Sequence, residues 1–69
     1  MNEGNRFRFD LWLYNEMQKR GWEPLDLAIE TGLSVPNIRN YLKNRSMPTL
    51  RSLELILRAF DMHMEFVKN

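Results

Sequence analysis

Residues 24–43 read PLDLAIETGLSVPNIRNYLK, and their spacing decides the fold. Leu27 and Ala28 open an apolar pattern that runs to Thr31. Gly32 follows as the residue best able to end a helix at positive φ. Ser34 is a good N-cap for a second helix, with Val35 and Pro36 in its first turn, where a missing backbone N–H costs nothing. Ile38, Tyr41 and Leu42 recur at helical spacing and can face the first helix. Pro36, Asn37, Asn40 and Lys43 then lie on the opposite side. Two helices crossing steeply at so short a turn need a small side chain at their closest approach, and Ala28 supplies it.

Downstream, Asn44 to Pro48 is a loop rich in turn formers. Pro48 and Thr49 set up another helix start, and Leu50, Leu53, Ile56, Leu57 and Phe60 mark one face of a helix running to about Phe60. Glu54 and Arg58 on its outside are an i, i+4 pair of favourable order. Upstream, Arg6 to Phe9 alternates polar and apolar, which fits a short strand or a first helical turn. From Phe9 the pattern is helical, with Phe9, Leu13 and Met17 on one stripe, Phe7, Leu11 and Tyr14 on a neighbouring one, and Trp12 between them. That is more apolar surface than one small core needs. Gly21 ends this helix, and Trp22 is expected to staple onto the next one against Leu25 or Ile29. Met1 to Asn5 read as a frayed end.

Residues 21 to 66 resemble the lambda-repressor, Cro and Xre family of helix-turn-helix proteins. The resemblance is carried by Leu27-Ala28, Gly32, Ser34, Ile38 and Tyr41, then Pro48-Thr49-Leu50, Leu53, Ile56 and Ala59-Phe60, without a gap. The Arg20-Gly21-Trp22 lead-in is similar to the antitoxin-like branch. The resemblance implies a mainly α fold, a four- to five-helix bundle carrying the helix-turn-helix at about 24–43. Pro24 stands where the family commonly has a Gln that bonds a DNA phosphate, so phosphate attachment falls to other residues. The family generally has Gln, Arg or Ser where this chain has Val35 and Pro36.

The final stretch changes period. Met62, Met64 and Phe66 alternate with polar residues, which favours a short C-terminal β-strand over a fifth helix with Met62 and Phe66 as its i, i+4 pair. A lone edge strand leaves its backbone unpaired, so residues 61–69 are expected to dimerise two copies through Met62, Met64 and Phe66.

At 69 residues the chain is read as one domain, with a core small enough that oligomerisation is an expected support. The absence of cysteine excludes disulfides and thiolate metal sites and is compatible with a reducing cytoplasm. No apolar run approaches the roughly 18 residues of a membrane span. The N-terminus lacks the layout of a secretory signal. His63 is the only histidine, Ser34 is explained as a cap, and Ser46 and Ser52 have no base beside them. The acids Glu16, Glu23, Asp26 and Glu30 are spread out, with no evident pocket to perturb them. Neither enzymatic chemistry nor a metal or cofactor is expected.

The net charge of +1 hides a segregation. Residues 31–53 hold Arg39, Lys43, Arg45 and Arg51 and no acid, while the remainder holds six basic and nine acidic residues. A solvated basic face is the ordinary reading of scattered cations, but these fall on and just after the helix that would enter a groove, which favours a polyanion. In that reading Val35, Pro36, Asn37 and Asn40 face base edges, the two Asn being able to pair with adenine. Arg39, Lys43, Asn44 and Arg45 face phosphates. The functions consistent with the residues are a homodimeric regulator binding double-stranded DNA, of phage-repressor or antitoxin type; a relative that binds a partner repressor or toxin protein through its apolar first helix or C-terminal segment; or a purely structural interaction module.

Overall fold

The computed structural model describes residues 7–65 and 67, and the expectations for Met1 to Arg6 and for Phe66 fall outside them. Four helices follow in order: α1 (Phe9–Arg20), α2 (Pro24–Thr31), α3 (Val35–Leu42) and α4 (Leu50–Ala59). There is no strand among the described residues. α3 packs on both α1 and α2, and α4 closes the far side against α2.

The N-termini follow local sequence. Ser34 Oγ accepts the Asn37 N–H at 3.2 Å, and Thr49 Oγ1 accepts the Ser52 N–H at 3.1 Å. Glu23 and Asp26 form a capping box in which the Asp26 carboxylate accepts the Glu23 N–H at 2.7 Å, which pins the start of α2. α1 starts after an extended Arg8, whose guanidinium grips Asp10 with two bonds of 3.0 and 2.8 Å.

The C-termini share one device. α1, α3 and α4 each end in a paired arrangement that satisfies two orphan carbonyls, with Gly21, Asn44 and Asp61 at positive φ. In α4 the Asp61 N–H donates to Arg58 O at 3.0 Å and the Met62 N–H to Leu57 O at 2.7 Å. The Met62 side chain folds back onto the core. The first residue of the alternating pattern thus belongs to the helix cap and the core, and the rest of it forms no strand among the described residues. The fifth-helix alternative does not form among the described residues either.

The core is Phe9, Leu13 and Met17 from α1, Leu27 and Ala28 from α2, Ile38 and Tyr41 from α3, and Ile56 and Phe60 from α4 and its end. Leu50, placed by periodicity on the inner face, is the first residue of α4 and is mostly exposed. The staple expected of Trp22 takes another partner. Its ring lies 5.6 Å from Phe60, while Leu25 and Ile29 point to solvent. Phe60 also meets Trp12 edge-on at 5.8 Å, and the Arg20 guanidinium sits 4.2 Å above its ring.

Arg20 binds three more acceptors: Glu16 O at 2.8 Å, Glu16 Oε1 at 2.9 Å and Phe60 O at 3.1 Å. It therefore ties the end of α1 to the end of α4. Lys19 adds a contact to Glu16 at 3.2 Å. Glu16 is correspondingly buried and perturbed, contrary to the expectation of unperturbed acids. The Arg20 hydrogen bond holds its carboxyl below the ordinary value of 4.5 against the opposing effect of burial, with Lys19 assisting. Asp10 is lowered likewise, chiefly by Arg8. The Glu54–Arg58 pair is not closed among the described ion pairs, as is common where an exposed pair gains less than the side-chain freedom it gives up.

Two predictions follow from this packing. Ala28→Leu should destabilise the protein by about 1–3 kcal/mol, since a larger side chain has no room between α2 and its neighbours; an unchanged urea midpoint would refute the crossing geometry. For Glu16, a lowered folded-state pKa means that its stabilisation is complete above the unfolded value and is lost as pH falls through the folded one. Urea midpoints should therefore decline below about pH 5, and Glu16→Gln should be less stable at neutral pH with a flatter acid limb.

Candidate nucleic-acid interface

The interface is built on a three-residue turn. Gly32 at φ 82° and ψ 2° donates its N–H to Ala28 O at 2.8 Å, closing α2. The buried Thr31 hydroxyl donates to Leu27 O at 2.7 Å and accepts the Leu33 N–H at 3.1 Å, so one side chain stitches the helix end to the turn. Ser34 then caps α3. With Leu27 and Ile38 both fully buried between the helices, the roll of α3 about its axis is fixed.

That roll exposes Pro36 and Asn37 in the first turn, with Asn40 half-exposed one turn on. Val35, placed among the base-facing residues by sequence, is half-buried and packs against the core, so only part of it is available to a ligand. Arg39, Lys43, Asn44 and Arg45 are all exposed. Asn44 also has a structural duty, since its φ of 59° turns the chain out of α3 and lets the Arg45 N–H donate to Asn40 O at 2.8 Å. That turn carries the Lys43, Asn44 and Arg45 side chains off the end of the helix. None of Arg39, Lys43, Arg45 or Arg51 bonds a carboxylate among the described residues, whereas Asp10 and Glu16 are each held by cations. The structure thus groups on one helix and its following loop every residue that sequence assigned to bases or phosphates. The expected dimerisation residues Met62 and Met64 lie apart from them, both half-buried.

Sequence reasoning missed two features. The lacing role of Thr31 has no signature beyond a Thr one residue before a helix-ending Gly. The Arg20 clamp was signalled by the i, i+4 spacing from Glu16 to Arg20, but its reach to Phe60 was not.

No group of three or more acidic or His side chains is placed to hold a metal, and no helix is long and apolar enough to cross a membrane, among the described residues. A short helix capped into a tight turn, followed by a second helix with a free polar and cationic face, defines a helix-turn-helix domain. A family profile described as helix-turn-helix matches residues 13–67, and the chain belongs to that family, of the Cro, CI and Xre type. The family is one of DNA-binding regulators. Comparison with curated proteins and with solved structures finds no match.

Gly32→Ala tests the turn. The space around the position is open, so the cost is that of a side chain at positive φ, about 1–2 kcal/mol, without a steric clash. Thermal unfolding should show that loss, and a stabilised variant would contradict the left-handed turn.

Proposed function

We propose that the protein is a sequence-specific, DNA-binding transcriptional regulator that acts as a homodimer, with α3 in the major groove and two copies on an approximately palindromic site. The observation that carries this reading is the outer face of α3 and its loop: Pro36, Asn37 and Asn40 accompanied by Arg39, Lys43 and Arg45, with no described carboxylate bonded to those cations. The chemistry divides the work. Asn37 and Asn40 can each offer an amide to adenine, Pro36 and the exposed part of Val35 can meet a thymine methyl, and the cations with Asn44 neutralise and position phosphates. With few base-reading side chains per copy, specificity draws on two half-sites at once.

A second reading has its own support. Leu25 and Ile29 on α2 are 60% and 71% exposed, and Phe7 and Leu11 are also open, which favours a relative whose main ligand is a partner repressor or toxin protein. Selection from random duplexes at two salt concentrations separates the two. A DNA regulator enriches a motif and shows a salt slope, whereas a dedicated protein binder does neither. On a selected site, Asn37→Ala and Asn40→Ala should relax base preference. Lys43→Ala and Arg45→Ala should weaken all duplexes alike and reduce the salt slope by about one each.

A further inference from the structure

Between α1 and the start of α4 lies an open groove of about 340 Å³. Phe7 and Trp12 form one wall, and Met47, Pro48, Leu53 and Leu57 the other; no charged residue lines it. Phe7 and Met47 are 66% and 63% exposed, and Leu50, on the same α4 stripe as Leu53 and Leu57, is 64% exposed.

We propose that this groove seats a second copy of the chain, and so forms the contact of the homodimer on which the functional reading rests. Three observations select this occupant. The first is size. Phe7, Met47 and Leu50, each about two-thirds exposed, offer on the order of 100 Å² apiece, roughly 300 Å² together. A stable interface buries about 800 Å² per partner, somewhat over half of it apolar. The patch supplies most of that apolar share.

The second is charge. A two-fold axis sets each copy's patch against its own image, which repels if the patch is charged and not if it is neutral. This lining is neutral.

The third is continuity with the candidate DNA face. Met47 follows Lys43, Asn44 and Arg45 within four residues, and Arg51 follows Leu50. Joining two copies here sets the cationic loop of each copy beside the seam. The described part of the tail offers a weaker seam, because Met62 is already committed to its own core and Met62 to Glu65 form no strand.

Sedimentation equilibrium of the full chain, alone and with a duplex carrying two half-sites, tests the assignment. Met47→Glu and Leu50→Glu alter exposed side chains and should leave the unfolding midpoint near that of the parent. The parent should dimerise, on the duplex if not free, and each variant should weaken that association about tenfold or more, whereas Ile29→Glu on α2 should not. A parent monomeric in both settings, or a dimer indifferent to Met47→Glu and Leu50→Glu, overturns the assignment; so does one lost equally on Ile29→Glu. A monomer that still binds a single half-site with a salt slope refutes the groove and leaves DNA binding standing. A groove-dependent dimer that binds no duplex does the reverse.

Discussion

The hydroxyl of Thr31 holds the position on which the rest depends. Two helix ends abut across three residues, and each end carries orphan backbone groups that must find partners without lengthening the turn. Thr31 donates to Leu27 O and accepts from Leu33 N–H; Gly32 turns through positive φ to close α2; Ser34 receives the Asn37 N–H. With those bonds made, the turn has a single geometry. Leu27 and Ile38 then lock the roll of α3, and the roll decides which of its side chains are left outside.

The Arg20 cluster does the corresponding work at the other end of the bundle. A guanidinium that binds Glu16, the Phe60 carbonyl and the Phe60 ring joins α1 to the end of α4, with Trp12 and Trp22 packed around the same phenyl group. For a 69-residue chain with nine buried apolar residues among those described, such a polar and aromatic closure compensates for limited apolar burial. It also consumes acid. Asp10 and Glu16 are spent within the scaffold against Arg8, Lys19 and Arg20, so the cations of α3 and its loop keep their field toward solvent. Near-neutral total charge and a basic surface are compatible because the pairing is local.

The exposed apolar residues are organised too. Phe7 and Met47 line one groove and Leu50 lies on the α4 stripe of Leu53 and Leu57, which also line it, while Leu25 and Ile29 on α2 are not part of it. Part of the excess noted on the first helix, Phe7 and Trp12, therefore belongs to a surface that only the approach of α4 completes. The groove walls come from segments some forty residues apart, which no local pattern could join.

Helix starts, helix stops and the candidate DNA face were legible in the sequence because they depend on local chemistry. Gly32 and Ser34 mark the turn whatever surrounds them, and the polar side of α3 follows from the spacing of Ile38, Tyr41 and Leu42. Four matters required the tertiary structure. Val35 is drawn partly inward and Leu50 is left out, since a helix's apolar stripe is wider or narrower than its actual contact. Trp22 turns to Phe60 instead of Leu25 or Ile29, because an aromatic ring takes the largest apolar neighbour that folding brings near. Met62 caps α4 with its amide, and no strand forms among the described residues, where the two-residue period has no partner within the chain. Glu16 owes its depressed pKa to the Arg20 guanidinium, which outweighs the opposing effect of burial, and that burial is a property of the assembled core rather than of any stretch of chain.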